Sequence, residues 1–437
     1  MSSEALARRI IRTLRAHGRQ AYLAGGCVRD FLLGCPAKDF DVATDAPPDD
    51  ILKLFPGSGR VGAHFGVVLV RHDHLQVEVA TFRSERDYAD GRRPTSVHFE
   101  TSPREDAVRR DFTINGMMMD PETGTVLDFV GGRADLDHRI VRAIGDPEIR
   151  FREDHLRLLR AIRFAARLDF QIEPATFDAI RRHHALIHSV SAERVRDEVV
   201  RILTEGGARR GFELLAASGL LVDLLPEVAA MKGVAQPPEF HPEGDVWVHT
   251  LLLLEKLHHP SPALALGALL HDVGKPPTFR IAERIRFDGH VEAGVELARG
   301  ILERLRLSRS DAEQVEALIA NHMRFKDAPR MKQSTLKRFL RLPKFEEHLE
   351  LHRLDCLAAH GRLDNYDLVR RKLAELPLEQ LKPKPLLTGA DLIAEGYTPG
   401  PVFSEILRAV EDAQLESRIH TRDAALELVK RNFPRVA

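Results

Sequence analysis

The sequence predicts a multidomain α+β chain, a small α/β head followed by all-α segments. Short β-like runs separated by turns are confined to the first part of the chain, ending near Leu136. From about Pro147 the periodicity becomes helical, with apolar residues three and four apart and arginines between them, and no strand signal is read beyond that point. The length, 437 residues, accommodates about two to four domains.

In chain order, Ala21-Tyr22-Leu23-Ala24 predicts a strand that runs into Gly25-Gly26, and Phe40-Asp41-Val42-Ala43 predicts a second. Val67-Val68-Leu69-Val70 and Val77-Glu78-Val79-Ala80 predict two more, with helical spacing at Val28 to Leu33 and Asp49 to Phe55. Helical runs Arg152–Leu168 and Ala192–Leu203 follow. A Pro/Gly/His-rich stretch from Val234 to Gly244 reads as a boundary, and Leu381-Lys382-Pro383-Lys384-Pro385 sets off a last helical segment. The expected segments are 1–136, 137–235, 236–370 and 371–437.

Composition narrows the classes. The chain is 43% hydrophobic and 30% charged, enough to bury sizeable cores, which excludes a disordered protein. No stretch approaches the roughly 20 apolar residues of a membrane span. Met1 to Arg9 lacks the apolar run of a signal peptide, and three cysteines, Cys27, Cys35 and Cys356, cannot build a disulfide framework. A cytoplasmic protein is expected. With 64 basic and 65 acidic residues, a nucleic-acid partner would need clustered arginines rather than an overall basic field.

Asp39-Phe40-Asp41 places two carboxylates at i and i+2, on one face if both lie in a strand, a spacing that can hold divalent cations between oxygen ligands. Upstream, Gly25-Gly26-Cys27-Val28-Arg29-Asp30 joins a strand to a helix. The two glycines, Gly25 and Gly26, let a triphosphate approach the backbone, the helix N-terminus supplies N–H donors, and Arg29 adds a fixed charge. Each motif alone is common in turns and solvated faces. Their order, strand, Gly-Gly, helix, Asp-x-Asp, points to nucleotidyl transfer.

These residues, with Arg109-Arg110-Asp111-Phe112-Thr113-Ile114-Asn115-Gly116 and Phe151-Arg152-Glu153-Asp154-His155-Leu156-Arg157-Leu158-Leu159-Arg160, resemble the class II tRNA nucleotidyltransferase and bacterial poly(A) polymerase family. The resemblance implies a nucleotidyltransferase head with a mixed sheet, an all-α neck and body, Mg²⁺ on Asp39 and Asp41, and nucleotide contact by Arg110. Independently of the family, Asp154 and Arg157 at i, i+3 on one helix present an acceptor beside a fork of donors. Cytosine and adenine both offer an amino donor next to a ring-nitrogen acceptor and so match; uracil and guanine invert the pattern. Arg160 and Arg163 continue the helix and read either as phosphate or RNA-backbone contacts or as a solvated basic face. Glu78 reads as a third acidic group or a cross-strand partner. The loop Tyr88 to Pro94 resembles the flexible loop of complete CCA-adding enzymes.

A second cluster is histidine-rich. His271-Asp272 closes the apolar run Ala263 to Leu270, where burial is costly unless the pair is bonded or binds metal. His249, His290, His322 and Asp355 follow suit, and imidazole and carboxylate from several helices can surround one or two divalent ions. His72-Asp73 reads as solvated. The order His, His-Asp, His, His, Asp resembles the HD superfamily of metal-dependent phosphohydrolases, including its two-metal form, which implies a divalent ion (Mg²⁺, Mn²⁺, Ni²⁺ or Fe²⁺).

The expected function is template-independent addition of CMP and AMP to tRNA 3′ ends from CTP and ATP, with an HD domain that hydrolyses phosphoesters at RNA 3′ ends. Alternatives are an A-adding enzyme or poly(A) polymerase, an HD phosphohydrolase with a nucleotide- or RNA-binding N-terminal module, and a small-molecule nucleotidyltransferase. Poly(A) polymerases of the group carry an Arg-rich strand where this chain has Val61-Gly62-Ala63-His64-Phe65-Gly66-Val67-Val68, which favours tRNA as substrate.

Overall fold

In a computed structural model, which describes residues 1–434 apart from 38, 61–65, 89, 90, 92, 93, 240 and 243, the apolar runs of the head assemble into one seven-stranded sheet. In chain order the elements are α1 (Ser3–Ala16), β1 (Ala21–Ala24), α2 (Gly26–Leu32), β2 (Asp41–Thr44), α3 (Pro48–Leu54), β3 (Gly59–Arg60), β4 (Val67–His72) and β5 (Leu75–Thr81). Then come β6 (Arg83–Tyr88), β7 (Pro94–Phe99), α4 (Pro103–Val108), β8 (Met118–Met119), β9 (Val126–Leu127), α5 (Gly132–Asp137), β10 (Ile140–Val141), α6 (Pro147–Glu153) and α7 (Arg157–Leu168).

The sheet order is β3-β4-β5-β2-β1-β8-β9. Only β2 and β5 pair in parallel; the other pairs are antiparallel, so the sheet is mixed. Helix α1, which the sequence reading did not single out, packs against β1, β2 and β5. Its Leu6, Ala7, Ile10, Ile11 and Leu14 are buried at three- and four-residue spacing, and Ser2 Oγ accepts the Ala5 N–H at 3.2 Å as its N-cap. Burying each leucine or isoleucine is worth about 1.5–3 kcal/mol.

Two expectations are corrected. The run Arg152–Leu168 is not one helix: it breaks at Asp154, whose backbone is extended (φ −138°, ψ 105°) between α6 and α7. The Asp154 carboxylate accepts the Leu156 N–H at 3.2 Å, the local side-chain bond by which aspartate ends one helix and opens another. Strands also occur beyond Pro147: Gln171–Ile172 (β11) pairs with β10, and Arg280–Ile281 (β12) forms a hairpin with Ile285–Arg286 (β13). Two-residue strands are too short to show alternation in a sequence.

The chain divides into two compact units, Met1–Ala229 with Arg304–Arg306, and Ala230–Glu303 with Leu307–Ala437. In the second, the helix Pro262–Leu270 is buried at every position from Ala263 to Leu270. It can be apolar all round because Val246–Glu255, Arg309–Asn321 and Phe345–Ala358 pack about it. A separate cluster of Leu392, Ile406, Val410, Ala425 and Val429 forms the core of the last segment. Among the described residues no helix is long and apolar enough to cross a membrane.

Candidate active site

The sheet brings the glycine turn and the carboxylates to one end. Ala24, the last residue of β1, pairs with Asp41, the first of β2, and Asp41 is also in register with Glu78 of β5. Gly25 has φ +75°, and a Cβ there would lie 3.0 Å from Arg110 Nη1 and 3.9 Å from Asp41 Oδ2. Glycine is therefore needed both for the backbone and for the approach of the arginine. Asp39 lies outside β2, in the preceding segment, so the expectation that one strand carries both carboxylates is corrected. Both nevertheless line the same cavity.

Burial pushes the Asp41 carboxyl up to about 6, with Glu78 raising it further, Arg110 opposing and Asp39 adding to the rise. Asp41 is half-buried and Asp39 exposed, and carboxylate oxygens of this kind suit a hard divalent cation. Of the two readings of Glu78, the register bears out the cross-strand neighbour of Asp41; Glu78 is not among the residues that line the cavity.

The cavity, about 540 Å³, brings together nine residues singled out in the sequence: Gly26, Arg29, Asp39, Asp41, Arg110, Asp154, Arg157, Arg160 and Arg163. Most of its arginines are tied to carboxylates. Arg29 donates to Asp30 Oδ1 at 2.8 and 2.6 Å and to Asn115 Oδ1 at 2.7 Å, so its charge is held inside the wall. Arg160 donates to Asp111 at 2.9 Å and Arg163 to Glu198 at 2.6 Å. The solvated-face reading of these two is corrected: Arg163 is buried and both are paired, because α7 packs this face onto Asp111 and the helix Ala192–Thr204. The Phe164 ring lies among Arg29, Arg160 and Arg163, at 5.3, 5.4 and 4.4 Å from its centroid.

Asp154 and Arg157 do not share one continuous helix face, as expected from spacing; Asp154 enters the cavity from the break before α7. Asp154 faces Arg194 at 3.4 Å, while Arg157 donates to Glu153 at 2.8 Å and to the Arg150 carbonyl at 3.0 Å. The His155 N–H donates to the Gly91 carbonyl at 3.0 Å, tying Gly91 to this turn. Residues 89, 90, 92 and 93 of that loop, and 61–65 of the segment that argued against a poly(A) polymerase, lie outside the described residues.

Sequence reasoning missed Asp106. Fully buried on α4, it accepts Arg109 Nε and Nη2 at 2.9 and 2.6 Å and Arg110 Nε and Nη2 at 3.2 and 3.0 Å. Its i, i+3 and i, i+4 spacing to the two arginines was the available signal.

In the second unit the six expected ligands form two adjacent groups, His249 with His271 and Asp355, and Asp272 with His290 and His322. His249 Nε2 lies 3.1 Å from Asp355 Oδ1, and His271 Nε2 lies 3.3 Å from Asp272 Oδ2. His271, His290 and His322 each place Nδ1 against a backbone carbonyl, of Ala268, Phe287 and Ile319, at 2.9, 2.9 and 2.6 Å. An Nδ1–H donated there leaves Nε2 as a lone pair, and these three Nε2 atoms are buried without a hydrogen-bond partner among the described residues. Burial, the largest cause, pushes His322 down to about 4, so it is neutral and able to ligate at pH 7. The donor set fits divalent metal. Burial alone would raise the Asp272 carboxyl, but Lys275, with Nζ at 2.6 Å, and His271 hold it well below its usual range. Lys275 is in turn held by Gln236 Oε1 at 2.6 Å; Gln236 carried no recognisable signal. By contrast His72-Asp73, read as solvated, sits at the surface.

Comparison with known proteins places this geometry. The model for the poly A polymerase head domain matches residues 21–142, that for the probable RNA and SrmB-binding site of polymerase A matches 169–232, and that for the HD domain matches 246–359. The chain is 43% identical over 215 residues to a CCA-adding enzyme of Bacillus pumilus, covering 49% of this chain and 54% of the relative. It is 46% identical over 211 residues to one of Geobacillus stearothermophilus, covering 48% and 52%. These alignments span about half the length of the curated relatives. Among solved structures it resembles the Bacillus stearothermophilus CCA-adding enzyme in complex with CTP, with TM-score 0.75 and 29% identity over 99% of this chain and 98% of that one. The Thermotoga maritima CCA-adding enzyme complexed with tRNA shares the fold, with TM-score 0.57 and 20% identity over 98% of this chain and 94% of that one.

Proposed function

We propose that this chain, which matches the poly A polymerase head, its RNA-binding region and an HD domain, is a member of the class II tRNA nucleotidyltransferase and poly(A) polymerase family that adds CMP and AMP to tRNA 3′ ends from CTP and ATP. The observation that carries the reading is the single cavity that joins the carboxylates of Asp39 and Asp41 to the turn at Asp154 and Arg157. In the reaction the RNA 3′-hydroxyl bonds to the α-phosphorus, the α–β anhydride bond breaks, pyrophosphate leaves and the hydroxyl loses its proton. Divalent ions, for which we propose Mg²⁺ on Asp39 and Asp41, supply charge neutralisation and a more acidic hydroxyl when bound. The chain's own residues do the rest. Gly25 and Gly26 keep the wall open to the triphosphate, and Arg110, clamped by Asp106, stands beside it.

For base choice, Asp154 accepts from the amino group of C or A and Arg157 donates to the adjacent ring nitrogen, each rotating away from its present partner. A wrong base leaves buried groups unpaired, at about 1–3 kcal/mol each. Arg29, Arg160 and Arg163 position this wall. We assign nucleotidyl transfer to 1–136, base choice and RNA contact to 137–235, and hydrolysis to 236–370. The test is to supply tRNA ending at the discriminator base, at C and at CC with CTP and ATP singly and together, and to sequence the 3′ ends. Addition of A alone, or of A tracts, would overturn tRNA CCA synthesis in favour of the A-adding or poly(A) reading.

The paired ligand groups support a second activity, metal-dependent hydrolysis of phosphoesters at RNA 3′ ends by His249, His271, Asp272, His290, His322 and Asp355. Asp272→Ala abolishing hydrolysis of 2′,3′-cyclic phosphates while leaving nucleotide addition intact is the expected result. Loss of both together would overturn the two-site reading.

A further inference from the structure

The hydrolytic cavity extends well past its ligands. It measures about 750 Å³, toward the upper part of the range of sites that enclose whole organic ligands, roughly 300–1,000 Å³, and far more than one phosphate fills. Arg284 and Arg286 of the β12–β13 hairpin, Lys326 and Arg362 share its wall with Asp272 and His322. All four cations are exposed, and among the described residues none of their charged ends is paired with a carboxylate. The head cavity is the opposite case, where most arginines are already paired. Glu239, Asp288 and Asp364 also line the wall, so the cations act at particular positions rather than as a uniform basic field. Phe287 and Met323 give the same cavity an apolar face, suited to a stacked base.

We propose that this cavity takes the terminus of a polynucleotide rather than a free mononucleotide, with Arg284 and Arg286 binding the internucleotide phosphate one step upstream of the terminal phosphoester. The inference rests on the hydrolytic reading of the second site. On a 2′,3′-cyclic end, a water oxygen bonds to phosphorus, one phosphorus–ribose oxygen bond breaks, and the water proton passes to the ribose oxygen released. The upstream phosphate takes no part in that step; guanidinium contacts to it lower KM.

The full-length protein, loaded with Mn²⁺ or Ni²⁺, is given adenosine 2′,3′-cyclic phosphate and the dinucleotide ApA carrying the same cyclic end. The dinucleotide is expected to be preferred in kcat/KM by about tenfold or more, one strong contact's worth. Arg284→Ala combined with Arg286→Ala should abolish that preference through KM, with mononucleotide turnover unchanged. Hydrogen exchange of residues 280–286 in Asp272→Ala should slow with the dinucleotide 3′-phosphate and not with adenosine 3′-phosphate. Equal kcat/KM for the two substrates, equal loss on both in the double variant, or no protection of the hairpin overturns the inference while the hydrolytic reading stands. Failure to hydrolyse either substrate overturns the hydrolytic reading itself.

Discussion

Asp106 offers the sharpest test of how the head holds its arginines. It is 0% exposed, and the side chains of Arg109 and Arg110 are each 17% exposed. Asp106→Ala leaves two guanidinium groups without their counter-charge in a nearly dry wall, which costs about 3–5 kcal/mol. Asp106→Asn keeps the shape and one oxygen acceptor, so its cost falls to about 2–3 kcal/mol. Burial would raise the Asp106 carboxyl, but Arg110 and Arg109 together hold it below its ordinary value. A depressed carboxylate contributes stability that is fully present above the unfolded pKa, about 3.9, and is lost as pH falls through the folded value. The gap between parent and Asp106→Asn, measured by urea unfolding, should therefore be full at pH 7 and shrink below about pH 4. Because Arg110 loses its clamp beside Gly25, kcat/KM for CTP should also fall, by about ten- to a hundredfold. A variant within about 0.5 kcal/mol of the parent that retains its kcat/KM would refute the clamp.

Asp39→Asn and Asp41→Asn should each reduce nucleotide addition by at least about a hundredfold in single-turnover incorporation, and undiminished extension by either would remove the head reading. Asp154→Ala and Arg157→Ala should lose about five- to 150-fold of the discrimination against UTP and GTP, read as relative kcat/KM. With Asp41 raised to about 6 in the metal-free protein, the stability it contributes is present at low pH and lost as pH rises through 6; stabilisation by Mg²⁺ should therefore grow from pH 5 to pH 7 and vanish in Asp41→Asn. Mn²⁺ at about a hundred times its Kd should stabilise the second unit by about 2.7 kcal/mol, seen as a rise in melting temperature that Asp272→Ala abolishes.

What the sequence made legible follows from how each feature is encoded. The strands β1, β2, β4 and β5 were legible as short apolar runs set off by turns, and the convergence of His249, His271, Asp272, His290, His322 and Asp355 was read from their order along the chain, which resembles the HD superfamily. The break at Asp154 was not readable, because apolar spacing continues across it and only the aspartate's bond to Leu156 N–H interrupts the backbone. The same blindness hid which arginines are engaged. Arg29 and Arg160 look like free cations in the chain, and only packing shows that Asp30 and Asp111 claim them. Gln236 lies 39 positions from Lys275, a separation no local pattern spans.

His271 belongs to one ligand group and Asp272 to the other, although they are neighbours along the chain. A single peptide bond thus yokes two clusters, and inserting one residue between them would wrench both out of register at once. The pair can be inherited, or forfeited, only as a whole.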